Sequence, residues 1–393
     1  MIRRLAIVTT HPVQYQACWY RALASYSGLE PEVFFCHRAS ARDQADAGFG
    51  VEFEWDTPLL DGYSFRFLNN VAKRPSSCTF LGTDTPEIWK VLREERCDAV
   101  LVSGWHYKSA WQAMFSAWRS GIPVIIRGDS HLHTKRSYAK LLAKKVAYRA
   151  VIPRFDACLA VGSWSRDYFL QYGARPQRIF TVPHCVDEAI FNGDCDSAKA
   201  SRKDWRLQFG LSDAQCLFLF SGKLTSTKRP LDFIAALTLA YQQGAPVAGV
   251  IVGDGPLRST CERSAQQASV PIYFTGFLNQ SKIRQVYAAC DVLVLPSDGE
   301  TWGLVVNEAM TAGRPCIVSD RVGAGPDLIE AGLTGDIFER GNIPALAQLL
   351  RRYAENLNNT RNMKAAVTEK IKAFSVKSAV EGTKQAVEAV CCR

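Results

Sequence analysis

Two carboxylates, Glu300 and Glu308, stand eight positions apart in the run Asp291-Val-Leu-Val-Leu-Pro-Ser-Asp-Gly-Glu300-Thr-Trp-Gly303-Leu-Val-Val-Asn-Glu308-Ala-Met310. Val292–Leu295 reads as a buried strand, Pro296-Ser297 breaks it, and a helix follows Gly303. The first carboxylate then lies in a strand-to-helix loop, and the second a turn or two into the helix. Gly303 permits close backbone approach, and the unpaired N–H groups of Leu304 and Val305 at the helix start can hold a phosphate. Read as eight helical residues at about 1.5 Å each, the pair spans about 12 Å, the order of the distance from a sugar, past a diphosphate, to a ribose. The alternative is two solvated carboxylates beside a surface helix. The sequence of strand, turn, glycine and helix argues for a ligand instead.

A second cluster is cationic. Phe220-Ser-Gly222-Lys223-Leu-Thr-Ser-Thr-Lys228-Arg229-Pro230 joins an apolar strand to a glycine turn, two lysines five apart, and a helix start. Such charges suit a phosphate, and their place after a buried strand argues against a mere basic surface turn. Two further strand-end turns, Val252-Gly253-Asp-Gly-Pro256 and Thr275-Gly-Phe-Leu278-Asn279, are candidates to border the same ligand, and each alone reads equally well as a structural turn. In the first half, Ile126-Arg-Gly-Asp129-Ser-His131-Leu-His133 follows a strand, with His131, His133 and Asp129 as rivals for one role. His11 and Gln14 close the first strand, and Gly104–Lys108 closes another. The cysteines show no metal-ligand spacing.

These loops need strands to hold them. Short continuous apolar runs recur at Leu5–Thr9, Val33–Cys36, Ala99–Val102, Pro123–Ile126, Ala157–Val161, Ile179–Val182, Cys216–Phe220, Ala248–Val252, Ile272–Thr275, Val292–Leu295 and Cys316–Val318. Continuous rather than alternating apolar strands indicate parallel sheets covered on both faces by helices. Eleven strands exceed one ordinary sheet, and the polar stretch 192–215 supplies a seam. The expected fold is α/β, two doubly wound Rossmann-like domains facing across a cleft, with ligands at the carboxyl ends of the strands. The expected limits are 1–185, 186–365, and a C-terminal helical segment 366–393 packing back on the first domain.

The chain has 393 residues, 47% hydrophobic and 22% charged, an ordinary globular balance. Its net charge of +9 suits an anionic ligand or surface. The 13 cysteines, several inside apolar runs such as Cys36, Cys158 and Cys316, read as buried thiols of a reducing compartment. Leu5–Val8 is too short for a signal peptide, and Phe233–Gly253 is broken by Gln242–Pro246, so the expectation is a cytoplasmic protein. Residues 135–154 carry Lys135, Arg136, Lys140, Lys144, Lys145, Arg149 and Arg154 among Tyr138, Leu141, Leu142, Val146 and Tyr148. A basic amphipathic helix of this kind can lie on the inner face of an anionic membrane; an ordinary solvated face is the plainer reading. No nucleic-acid motif accompanies the charge.

The stretch Pro296–Glu308, with Ala312-Gly-Arg-Pro315 and Gly323-Ala-Gly-Pro-Asp327, resembles the E-x7-E region of family-4 retaining glycosyltransferases. The resemblance is strong over the second half and looser over the first. It implies the GT-B fold, a nucleotide-sugar donor substrate, typically a UDP- or GDP-sugar, no separate cofactor and no essential metal. It implies a glycan, lipid-linked or small-molecule acceptor, as in bacterial surface polysaccharide or glycoconjugate synthesis. By resemblance Glu300 lies near the donor sugar, Glu308 binds the ribose hydroxyls, Lys223 and Lys228 bind the diphosphate, the backbone at Leu278 meets the base, and His131 lies near the reacting sugar. Lys223 stands where the family usually has Arg, so a point charge replaces a bidentate contact. The glycine-rich loop many members carry after the first strand is absent here. A sugar-nucleotide epimerase of the same fold and a non-catalytic nucleotide-sugar-binding protein are the alternatives.

Overall fold

The computed structural model describes residues 2–39, 53–133, 138–191 and 196–392. They form two units: 2–39, 58–185 and 375–392 in the first, 53–57 and 186–374 in the second.

In the first unit, seven strands form one parallel sheet: β1 (Arg3–Thr9), β2 (Leu29–Phe35), β3 (Ser64–Phe67), β4 (Ala99–Ser103), β5 (Val124–Gly128), β6 (Ala157–Ala160) and β7 (Ile179–Thr181). Their order is β3-β2-β1-β4-β5-β6-β7. Successive residues feed opposite faces, so each strand supplies two cores. Val8, Phe34, Val102 and Ile126 pack with Val91 of α2 (Ile88–Glu94), Met114 of α3 (Lys108–Arg119) and Phe169 of α5 (Ser163–Gln171); α4 (Tyr138–Val151) precedes α5 in the chain. Ile7, Val33, Leu101 and Ile125 pack on the other face with Trp19 and Leu23 of α1 (Gln14–Ala24) and with Val387 and Val390 of the C-terminal helix Val376–Cys391. Burial on both faces is why these strands read as unbroken apolar runs.

The second unit repeats the pattern with β8 (Cys216–Ser221), β9 (Val247–Val252), β10 (Ile272–Gly276), β11 (Val292–Leu295), β12 (Cys316–Ser319) and β13 (Gly335–Phe338), all parallel, in the order β10-β9-β8-β11-β12-β13. Its helices are α6 (Glu188–Phe191), α7 (Asp196–Gln208), α8 (Pro230–Gln242), α9 (Arg258–Ala268), α10 (Gln280–Ala289), α11 (Leu304–Thr311), α12 (Gly325–Leu328), α13 (Ile343–Glu355), α14 (Leu357–Asn362) and α15 (Lys364–Ile371). The strand order reverses between β8 and β11, the crevice where doubly wound sheets take ligands. At the opposite, amino end of those two strands lies Asp291. It accepts from Arg202 Nη2 at 2.6 Å, Arg206 Nη1 at 3.2 Å, Arg361 Nε at 3.2 Å and the Leu217 amide at 2.9 Å. Burial opposes its ionisation, but these partners, Arg202 foremost, hold the carboxyl below the usual range.

Two strands lie outside the eleven expected from the sequence. Both are sheet edges: β3 is mostly exposed and alternates apolar with polar residues, and β13 is four residues long and carries Asp336. Neither carries an unbroken apolar run, whereas the other two edges, β7 and β10, do and are legible. The expected limits also shift. Residues 366–374 and 53–57 belong to the second unit, and only 375 onward returns to the first. Residues 53–57 reach the second unit through real contacts: Phe53 packs on Phe277 with centroids 4.3 Å apart, Asn279 Nδ2 donates to Glu54 O at 2.6 Å, and Ser281 donates its amide to Asp56 at 3.1 Å.

Candidate active site

The loops leaving β8, β9 and β10 are laced together by backbone bonds. Gly222 N donates to Val252 O at 3.0 Å, Leu224 N to Asp254 O at 2.8 Å, and Gly253 N to Gly276 O at 2.9 Å. Gly253 has φ +130°, and a Cβ there would lie 2.0 Å from Gly222 O, so no other residue fits. Beyond Lys223 the chain makes a tight turn, Ser226–Lys228, before α8. That turn meets the loop after β11: Asp298 N donates to Thr227 O at 2.7 Å, and Lys228 Nζ forms an ion pair with Glu300 Oε1. Ser297 Oγ donates to the same carboxylate oxygen at 2.8 Å. The pair is largely shielded, with side-chain exposures of 25% for Lys228 and 13% for Glu300. The structure thus brings two predicted residues together at the strand-order reversal. Arg229, next in the chain, pairs with Asp232 at 2.7 Å and lies 3.9 Å from Asp298 of the same β11 loop.

Glu300 is held by more than its side chain. Its amide donates to Arg321 O at 3.0 Å and its carbonyl accepts from Gly323 N at 3.2 Å. The segment 300–303 is therefore pinned loop, not helix. The geometric expectation of eight helical residues between the carboxylates is corrected: α11 starts at Leu304, because Gly303 adopts φ +100° immediately before it. No side chain caps this helix, and Leu304 and Val305 are only partly buried. The buried Trp302 donates its indole N–H to Asn307 Oδ1 at 2.7 Å and so braces the helix entry.

Glu308, one turn into α11, is 7% exposed. Tyr287 of α10 donates to its Oε2 at 2.6 Å. Burial without a cation pushes the Glu308 carboxyl up to about 7, against a smaller downward pull from the Tyr287 bond. Leu278 sits partly buried in the loop between β10 and α10, beside Phe277 and the helix-capping Asn279, whose Oδ1 accepts from Gln280 N at 2.9 Å.

The first unit presents its own cluster at the carboxyl ends of β5 and β7. His131 is partly buried; its Nδ1 accepts from the His133 amide at 3.1 Å and its ring lies 5.2 Å from Trp164. Burial, then the nearby His133 and Lys144, push its proton affinity down, against an upward pull from Asp129. His133 lies 4.1 Å from the same indole, and Asp129 stands 4.0 Å from His184 Nε2. His184 and Arg127 were not singled out from the sequence. Both are buried, 3.3 Å apart, and Arg127 also donates to Pro183 O at 3.3 Å. Burial, then Arg127, hold His184 neutral. An arginine inside an apolar strand was the available signal. Trp105 and Lys108, in the loop that closes β4, are turned to packing: Trp105 Nε1 donates to Tyr148 at 3.1 Å, and Lys108 pairs with Asp84 at 2.5 Å.

Two family descriptions match the chain, one in each half: Glycosyltransferase Family 4 over residues 19–189 and Glycosyl transferases group 1 over 201–370. The chain belongs to family 4 of the glycosyltransferases. Among relatives of this family-4 chain, alpha-D-kanosaminyltransferase of Streptomyces kanamyceticus is 25% identical over 60% of the chain and 62% of its own length. The GDP-mannose-dependent alpha-(1-6)-phosphatidylinositol dimannoside mannosyltransferase of Mycobacterium tuberculosis is 30% identical over 51% of the chain and 52% of its own length. The chain thus spans less than two thirds of either relative. The crystal structure of Anabaena HepE in complex with UDP and glucose superposes with a TM-score of 0.71 at 17% identity, covering 97% of this chain and 98% of that one. The family-4 chain therefore has the GT-B fold of two Rossmann-like units.

Proposed function

We propose that this chain transfers a sugar from a nucleoside-diphosphate sugar to an acceptor hydroxyl, with retention of anomeric configuration. One observation carries the reading: the strand-order reversal of the second unit gathers Lys228, Glu300 and the uncapped start of α11, with the buried Glu308 one turn beyond. Negative charge grows on the diphosphate as the glycosidic bond breaks. Lys223, Lys228 and the Gly303–Val305 backbone meet that charge where it develops. To accept the diphosphate Lys228 exchanges Glu300 for phosphate, and Glu300, still held by Ser297, turns its free capacity to the sugar hydroxyls. Glu308 takes the ribose. The reading assigns the leaving-group charge to these groups rather than to a divalent cation, so turnover persists in excess EDTA.

HepE's bound UDP and the GDP-mannose dependence of the mycobacterial relative make UDP- and GDP-sugars the donors to test first. The first unit takes the acceptor, with Asp129 and His131 as the polar contacts, and surface polysaccharide or glycoconjugate synthesis is the setting the family suggests. The exposed face of α4 supports a lipid-linked acceptor. Leu141, Leu142 and Val146 are 40%, 52% and 67% exposed there, beside exposed Lys145 and Arg149. Lys144, counted with that basic face from the sequence, instead turns inward, its Nζ 4.6 Å from the Tyr168 ring centroid. Lys135 and Arg136 lie outside the described residues. Among those residues no helix is long and apolar enough to cross a membrane.

A thermal-shift panel of UDP, GDP, ADP and their sugars tests the donor. The reading requires selective stabilisation by one nucleotide and, with acceptor present, an α-linked product from an α-linked donor. Conversion of donor alone to an epimer would establish the epimerase instead, and binding without turnover across an acceptor screen the non-catalytic reading.

A further inference from the structure

We propose that Tyr287 is the positioning residue of the ribose-binding carboxylate: its hydroxyl fixes Glu308 so that Oε1 faces the nucleotide, and thereby sets the preference for ribose over deoxyribose. The proposal rests on the nucleotide-sugar reading above.

The geometry is specific. Tyr287 and Glu308 come from different helices, α10 and α11, and meet at 2.6 Å in a buried site. The phenol is itself fixed. Phe191 of α6 packs edge-on with centroids 5.8 Å apart, and Ser221, the last residue of β8, lies in hydrogen-bond reach of the hydroxyl. Burial, then the adjacent Glu308, raise the phenol far above its ordinary range, so it acts only as a neutral donor. One carboxylate oxygen is thus held by Tyr287, and the other has no protein partner among the described residues. The Tyr287–Glu308 bond, with Ser221 near the phenol, thus lies between the strand end that opens the phosphate loop and the carboxylate assigned to the ribose.

A carboxylate so placed accepts from ribose hydroxyls most strongly when ionised, since a proton on Oε1 turns that oxygen into a donor. Tyr287 is the one side chain that favours that form; the opposing influence is burial. The other titratable group close to the phenol, Cys316 of β12, is kept a neutral thiol by burial. Charged residues on the elements packed against α11 are directed elsewhere. Lys364 of α15 lies against Gly313, Lys370 pairs with Glu330, Glu369 pairs with Lys372 at 2.5 Å, and Glu188 of α6 is exposed. Loss of the Tyr287 bond therefore leaves the carboxylate without compensation.

The test is nucleotide affinity from pH 5.5 to 9 for the wild type, Tyr287→Phe, Glu308→Gln and the double variant. The probes are UDP, GDP and ADP and the 2′-deoxy form of whichever binds. The wild type should lose affinity as pH falls through about 7. In Tyr287→Phe the midpoint should move up by about one unit, about fivefold in affinity at pH 7, recovering at pH 9, and the ribose preference at pH 7 should shrink. Glu308→Gln should be weak and nearly flat with pH, and adding Tyr287→Phe to it should cost less than twofold. This double variant carries no stranded charge and keeps the test open if the single one fails to fold. An unmoved midpoint, an equal loss at every pH, or a further large loss in the Glu308→Gln background would overturn the role of Tyr287. Failure of the wild type to bind any of the three nucleotides would instead sink the nucleotide-sugar reading itself.

Discussion

Lys228 and Glu300 are ion-paired across the gap between the β8 and β11 loops, and Ser297 Oγ holds the same Glu300 oxygen at 2.8 Å. The two residues lie 72 positions apart in the chain and are brought together by the strand-order reversal. A partly shielded cation at this place suits the diphosphate of the proposed reaction, whose charge grows as the glycosidic bond breaks.

Replacing that cation should therefore act on turnover. Lys228→Ala is expected to lower kcat/KM by about 10²-fold, the scale of losing one preorganised charge at a developing anion. Lys90→Ala, which removes an exposed pair with Glu94, should change it by less than about twofold. Steady-state kinetics on both variants checks this, and equal losses would remove Lys228 from the site.

Glu308 should carry a cost in stability with a definite sign. Its folded-state affinity for protons is raised to about 7 from an ordinary 4.5, so the unfolded chain loses that proton first. Below 4.5 the carboxyl is protonated in both states and costs nothing; between 4.5 and 7 the folded state is progressively penalised. Glu308→Gln should thus match the wild type near pH 4.5 and exceed it by up to about 3 kcal/mol above pH 7. Urea unfolding at pH 5 and pH 8 reads the difference, while nucleotide binding moves the opposite way.

Asp291 makes the opposite prediction. Its carboxyl is depressed, so its contribution is present above the ordinary aspartate range and fades as pH falls through the folded value. Asp291→Ala strands Arg202, Arg206 and Arg361 around an empty centre, and the expected loss is about 3–5 kcal/mol. A denaturation series should show this loss at pH 7 and a smaller one at pH 3.

Gly253→Ala probes the loop lacing. A Cβ 2.0 Å from Gly222 O forces the β8 and β9 loops apart. Nucleotide affinity should fall more than about tenfold, while circular dichroism retains the helix and strand signal, because the change lies beyond the strand ends.

The sequence alone determined the parallel, doubly wound architecture, because strands buried on both faces must be apolar throughout. It also showed glycine and two lysines gathered at the carboxyl edge of the second sheet, because Gly222, Lys223 and Lys228 follow the buried strand directly. It did not reveal β3 or β13, whose four residues each break the apolar run with Ser and Arg or with Gly and Asp. It did not reveal Tyr287 or Ser297 as partners of the two glutamates, nor Arg127 with His184, since a buried hydrogen bond between distant residues leaves no periodic trace. Tertiary structure alone decided that Glu300 meets Lys228 and that Glu308 is buried against a phenol. Those are long-range contacts, and they exist only once the strand order has set β8 beside β11.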